Sequence, residues 1–337
     1  MSIGDSIWQI KKAGLSLRTK NEHMKKIFIL LAVFFSQMAI AQDDLLGELE
    51  KEDSAVVKEN ITTATFKSTR VINMHSVEMT GLHNMQFMII HHFGALWDNN
   101  ENFGGNMGRL FGMNSGIANT YMSFDYTPAQ FLNLGLAFAG NGALEGTAKF
   151  KLMRQQTGVK NYPVSIAWVS TMNYNTSKKV TAPNGFEPNK FSFMNQLLIA
   201  RKMSDKLSLQ LNPSWVHFNV VPYGYNTSNE VFSIGFGGRF KLTDKEAFTF
   251  EYSRQLNMYE DVIDKTGEIV NYSPDLISLG FDWDTGGHVF QFFFSNSYFA
   301  SNVFQLSTNT KKDNFGQWCM GFNLNRSYGM KKSVKVH

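Results

Sequence analysis

From Met85 to Arg326 the chain alternates. Phe232, Ile234, Phe236, Phe240 and Leu242 are interleaved with Ser233, Gly235, Gly237, Arg239 and Lys241. Successive side chains of a strand point to opposite faces, so such a run has one apolar face and one polar face. The pattern predicts strands over 84–95, 116–127, 129–139, 144–155, 162–174, 190–203, 206–219, 229–243, 246–257, 274–285, 287–298 and 315–326. Connections at Thr127–Ala129, Met203–Lys206, Thr243–Glu246 and Thr285–His288 are tight, whereas 96–115, 175–189, 220–228, 258–273 and 299–314 are long; only 140–143 and 155–162 depart from the alternation. A soluble sandwich would press the apolar faces together. A closed barrel turns them to lipid instead, and short turns at one end with long loops at the other suit that solution. The expectation is an all-β fold, a transmembrane antiparallel up-and-down β-barrel of about 12 strands (range 10–14) over residues 84–328, with 329–337 as a C-terminal tail. An even strand count puts the turns and both chain ends in the periplasm.

Parity assigns the faces. Met122, Phe124 and Tyr126, Leu134 and Leu136, Ile277, Leu279 and Trp283, and Phe290, Phe292 and Phe294 belong outside, with Tyr and Trp near the interfaces. The opposite parity carries the lumen candidates Asp125, Glu145, Lys149, Lys151, Arg239, Lys241, Glu251, Asp282 and Asp284. Those predict a polar, mixed-charge interior that is either filled by ion pairs or lines a wet, narrow path.

The N-terminus changes how the charge is read. Met24-Lys25-Lys26 precedes the apolar run Ile27 to Phe35, and Ala39-Ile40-Ala41 is a small-x-small site, so residues 24–41 read as a signal peptide cleaved before Gln42. Translation is then expected to begin at Met24, with 1–23 an upstream extension. Residues 1–41 hold six basic and two acidic side chains, a net +4, which equals the +4 of the whole chain. The mature protein is near neutral, which gives no footprint for nucleic acid. A single cysteine, Cys319, rules out an internal disulfide and reads as an inert thiol. Nothing after residue 41 is apolar for long enough to span as a helix.

Residues 42–83 are a leader. Asp43, Asp44, Glu48, Glu50, Glu52, Asp53 and Glu59 outweigh Lys51 and Lys58, and 60–83 is polar and β-prone, open to being a strand pair, a periplasmic lead-in or a plug.

Ala64-Thr65-Phe66-Lys67-Ser68-Thr69-Arg70-Val71-Ile72-Asn73, His75-Ser76-Val77-Glu78 and the His91-His92-Phe93-Gly94 end of the first strand resemble a family of bacterial outer-membrane β-barrels catalogued as domain of unknown function 5777. Lys149 to Gln155 and Gly321 to Arg326 are similar to its later pattern. The resemblance covers most of the mature chain and implies a barrel and an outer-membrane location, with no substrate. It departs at His92, where the family has Arg, so a fixed positive charge there does not carry over.

The residues that could carry chemistry do not assemble a site by sequence. His91 and His92 sit on opposite faces of one strand and cannot share an ion, so no metal or cofactor is expected. His217 and His288 lack a recognisable serine partner, so no enzyme is expected. Gly104 to Arg109 lacks the Gly-Lys-Ser/Thr end of a phosphate loop and reads as flexible loop. The expected function is a narrow or gated passage for small solutes by a monomer whose partner is outer-membrane lipid. The alternatives are a non-conducting structural or binding barrel that recruits a periplasmic protein through residues 42–83, or a carrier that releases an apolar ligand laterally.

Overall fold

The computed structural model describes residues 59–111, 113, 119–140, 142–176, 190–220, 229–256, 262–263, 269–270, 275–307 and 318–330. The expected signal peptide 24–41 with its cleavage residues Ala39, Ala41 and Gln42, the acidic stretch 43–58 and the end of the tail lie outside them.

Twelve antiparallel strands close into a barrel: β1 Asn84–Ala95, β2 Asn119–Ala129, β3 Leu132–Ala139, β4 Ala143–Met153, β5 Ser165–Asn175, β6 Phe191–Lys202, β7 Leu207–Phe218, β8 Glu230–Lys241, β9 Glu246–Gln255, β10 Leu276–Asp284, β11 His288–Ser295 and β12 Cys319–Gly329. Each pairs with its neighbours in sequence, and β12 closes on β1 from Gly329 opposite Asn84 to Cys319 opposite Ala95. Closure leaves no edge strand, as hydrocarbon requires. Alternation orients the wall: on β5, Ser165, Ala167, Val169, Thr171 and Asn173 are buried while Trp168, Met172 and Tyr174 are exposed. Phe124, Leu134, Phe248, Leu279, Trp283 and Phe292 continue the outer apolar belt.

Three details differ from the periodicity. The β2–β3 turn lies at Gln130–Phe131 rather than at Thr127–Ala129, because β2 continues through Pro128 with a shift of register between Tyr126 and Ala129 that absorbs the missing N–H. The last strand runs about three residues further than its apolar pattern, since Arg326 to Gly329 still pair with β1 beyond the belt. The glycine-rich run is a helix, α1 Phe103–Leu110, whose cap Asn102 accepts from Gly105 N at 2.7 Å and whose Arg109 pairs with Glu101 at 2.9 Å and Asp98 at 3.2 Å.

The core is the barrel interior. Residues 65–80 lie within it, and so do residues 296–307, which carry the short helix α2 Asn302–Gln305. The inner wall is therefore less polar than parity alone suggests. Met88, Ile90, Met194, Val216, Phe218, Val231, Leu276 and Phe293 face inward around Val303, Phe304 and Leu306, and Ala167, Val169, Leu198 and Ala200 face Phe66, Val71 and Val77.

Candidate functional site: a hairpin seated in the barrel

Residues 62–82 form a hairpin that starts and finishes at the short-turn end. Asn60–Ile61 pair with Gln156–Thr157 beyond β4, and Thr62 N donates to Gln155 O at 2.9 Å. The limbs are tied by Ser76 N to Thr69 O at 3.0 Å, and the tip is closed by Val71 N to Met74 O at 2.8 Å. Ala64 (φ 55°) and His83 (φ 57°) bracket the hairpin in the left-handed region, an uncommon conformation for residues with a Cβ.

The hairpin makes no ladder with the wall, so its backbone groups must be satisfied by side chains. Strand β9 offers Glu251, whose Oε1 accepts from Ile72 N at 2.7 Å and from Asn73 N and Met74 N at 2.8 Å each. Three successive N–H groups around one carboxylate oxygen make a backbone nest, here with the anion supplied by the wall. Strand β4 offers the reverse: the three donors of the Lys149 ammonium meet Thr69 O at 3.2 Å, Ser76 O at 2.8 Å and Glu78 O at 2.9 Å. A buried charge is tolerable only when its capacity is filled in this way.

Amides complete the grip. Gln210 on β7 accepts from Val77 N at 2.8 Å and donates to His75 O at 2.7 Å. Gln291 on β11 donates to Val71 O at 2.7 Å, and Asn323 on β12 to Ile72 O at 2.5 Å. Thr69 donates to Gln86 on β1 at 2.9 Å. Because an amide both donates and accepts, it can serve a hairpin whose N–H and C=O groups alternate. Burial, with Arg70 and Lys149 nearby, holds the His75 imidazole well below its ordinary pKa, so it is neutral in place.

The tip is apolar and fits hollows made by missing side chains. A Cβ on Gly235 would lie 2.8 Å from Met74 Sδ, one on Gly280 3.0 Å from Ile72 Cδ1, and one on Gly237 3.3 Å from Val71 Cγ1. All three glycines occupy inward positions on β8 and β10.

The second inward segment meets the first at Asn73. Asn302 Nδ2 donates to Asn73 O at 2.9 Å, and Arg70 Nη1 donates both to Asn73 O at 2.8 Å and to Asn302 Oδ1 at 3.0 Å. His92 lies between them, its Nδ1 2.9 Å from Ser297 O and its Nε2 3.0 Å from Asn73 Oδ1. Cys319 Sγ is 3.1 Å from the same Ser297 O, inside the wall. The lumen is thus occupied from its short-turn end by the hairpin and on its loop side by residues 296–307, with hydrogen bonds between the two segments.

The nine sequence candidates divide by what they hold. Glu251 and Lys149 hold the hairpin backbone, and Asp284 pairs with its Lys67 at 2.7 Å. Glu145 accepts from Asn173 at 2.8 Å and from the Ser301 hydroxyl of the second segment. Arg239 and Asp282 pair at 3.2 Å, and Asp282 also accepts from Gln291 at 2.9 Å. Lys241 turns to Asp244 in the β8–β9 turn at 2.6 Å, Asp125 accepts from Ser123 at 3.0 Å, and Lys151 lines the short-turn end with Glu78 and Arg154. Missed by sequence were the holding roles of the amides Gln86, Gln210, Gln291 and Asn323 and of His92, although parity put His92 and Gln210 on the inward face. Their signal was an excess of amides at inward positions, where a water-lined wall has no special need of them.

No curated protein matches the chain in sequence. Among solved structures, an outer membrane channel from Pseudomonas putida F1 is 10% identical over 75% of this chain and 98% of its own, with a TM-score of 0.46. The KdgM porin is 8% identical over 74% of this chain and 99% of its own, at 0.41. The NanC porin is 5% identical over 72% of this chain and 98% of its own, at 0.40. The sequence profile of one family matches residues 66–328, which takes in the hairpin from Phe66 as well as the barrel, and the chain therefore belongs to the membrane bound beta barrel domain family, domain of unknown function 5777.

Proposed function

We propose that this protein is an outer-membrane passage for small solutes, held shut by its own N-terminal hairpin, with the short turns and both chain ends on the periplasmic side. The observation that carries this is the mode of attachment. Side chains from β1, β4, β7, β9, β11 and β12 hold the hairpin, mostly by its main chain, and none of them is covalent or part of a ladder. Such a closure can leave without dismantling the wall, and the vacated wall presents Lys149, Glu251, Gln210 and Asn323 to water. A purely structural filling has no reason to keep charged and amide groups where apolar packing serves as well or better.

Planar-bilayer recording on refolded protein tests the proposal. The full chain is expected to be silent or to open rarely, and a chain lacking residues 59–81 to conduct steadily. A correctly folded deletion that never conducts overturns it.

The recruiting alternative is favoured by a separate observation: Asn60–Ile61 leave the barrel beside Gln156–Thr157 at the short-turn end, so a protein that grips residues 42–58 pulls directly on the hairpin. Crosslinking from residues 43–59 to one specific periplasmic protein is the outcome that supports it.

A further inference from the structure

One part of the inner wall makes no side-chain hydrogen bond to either closure. Gln196 on β6, Ser214 on β7, Ser233 on β8 and Gln255 on β9 stand side by side: Gln196 pairs in register with Ser214, Ser214 with Ser233, and Ser233 with Gln255. All four face inward and are at least nine-tenths buried. Ser214 is satisfied, its Oγ accepting from Gln196 Nε2 at 2.9 Å and donating to Asn212 O at 3.1 Å, but the rest of the row is short of partners. Gln196 Oε1, Ser233 Oγ and both amide atoms of Gln255 have none, nor has Oδ1 of the adjacent Asn212. Buried polar groups are ordinarily paired, so a contiguous row with this much unused capacity calls for an occupant in another state of the protein.

Its surroundings say what that state is. Ser233 is one inward position beyond Gly235, where Met74 of the hairpin tip is seated. On the loop side lie the inward apolar side chains Val216, Phe218 and Val231, packed in one cluster with Phe304 of the second segment. The row is a polar band between two apolar groups, and withdrawal of the tip opens its Gly235 side.

The chemistry of the band is specific. The charged groups of the lumen are already engaged: Lys149 and Glu251 with the hairpin, Arg239 with Asp282, Glu145 with Asn173. In the row itself what is left unpaired is amide and hydroxyl, offering donors and acceptors together and no counter-charge; the unpaired Glu251 Oε2 and Arg239 Nη2 lie four and six residues nearer the short-turn end. An ion entering there would meet dipoles but no counter-charge, whereas a molecule with many hydroxyl groups replaces its water bonds one for one. Three inter-strand steps of about 4.8 Å make the row roughly 14 Å long, so more than one sugar ring can lie along it. Resting on the gated-passage reading, we infer that Gln196, Ser214, Ser233 and Gln255 form a subsite for uncharged polyhydroxylated solutes such as short oligosaccharides, uncovered when the hairpin tip retracts.

The test uses the full chain carrying Glu251→Ala, which releases the tip, in a planar bilayer with maltotriose as probe and gluconate as charged control. Maltotriose is expected to interrupt the current in a concentration-dependent way and gluconate is not. Adding Gln196→Leu and Gln255→Leu is expected to weaken that block by about tenfold or more, the size of one or two net hydrogen bonds, and Gln196→Asn with Gln255→Asn to recover most of it. Heat-modifiable migration on gels verifies that each variant is a folded barrel. Current without maltotriose block, or block that the leucine pair leaves unchanged, overturns the subsite and leaves the passage standing. Absence of current from both Glu251→Ala and the hairpin deletion overturns the passage and the subsite together.

Discussion

Two sides of the hairpin meet two different walls. Toward β9, β11, β12, β1 and β4 it is held by directed hydrogen bonds from Glu251, Gln291, Asn323, Gln86 and Lys149. Toward β5 and β6 it is packed, Phe66, Val71 and Val77 against Ala167, Val169, Leu198 and Ala200. Hydrogen bonds fix register, because each donor has one acceptor at one distance; apolar contact tolerates sliding and rewards only burial. The polar wall therefore decides where the hairpin sits, and the apolar wall adds to how firmly it sits.

That division can be broken most severely at Glu251. Glu251→Ala leaves three buried N–H groups without an acceptor, at about 1–3 kcal/mol each before water enters. The amides of Ile72, Asn73 and Met74 are expected to exchange with solvent faster by on the order of a hundredfold, with Ser76 and Val77 less affected. Exchange that stays slow at the tip would mean the carboxylate does not set the register.

Leu198→Ala probes the opposite wall. Truncating a fully buried leucine costs about 2–3 kcal/mol with its cavity, and the loss should appear as a uniform fall in hairpin protection without a shift of register. Selective deprotection of the tip would contradict the comparison.

Acidification acts on the hairpin itself. His75 is depressed in place and has its ordinary pKa near 6.5 once withdrawn, so above that pH it contributes no difference between the two states. As pH falls through 6.5 the withdrawn hairpin takes up a proton that the seated one refuses, and the seated state loses up to about 1.4 kcal/mol per pH unit. Open probability is expected to rise between about pH 7.5 and 5.5 in the wild type and to flatten in His75→Gln; a curve of the opposite slope would remove His75 from the account.

The smallest effect belongs to Lys67→Ala. Its pair with Asp284 lies at the water-facing rim, where such pairs contribute about 0–1 kcal/mol and are screened by salt. Little change in exchange, and none at high salt, is the outcome that matches.

The wall was legible from its alternation because a strand between lipid and lumen has two unlike faces, and strands such as β5, β7 and β10 follow that period closely. Where both faces are apolar the same rule carried more information than parity alone extracts. Ile166, Ala167, Trp168 and Val169 run on without a polar residue, which for a barrel strand means something apolar is inside. Residues 65–80 gave no period because their backbone bonds go to side chains distant in sequence, such as Glu251, some 180 residues away, so nothing local dictates a repeat. The inward fold of 296–307 was hidden for a similar reason. Its Val303, Phe304 and Leu306 look like stray apolar residues in a loop until the collar of Val216, Phe218 and Val231 is known.

Because both limbs of the hairpin lie at one end of the barrel, between the Asn60–Ile61 pair and β1, its motion has a sense of direction. A pull from the short-turn end draws a loop straight back along the way it came, with no chain to thread. A push from the same end, or suction from the other, drives Met74 and Ile72 against the second segment and tightens the contact. Under the proposed gating the closure is therefore directional: displacement toward the short turns frees it, and displacement toward the loops tightens it.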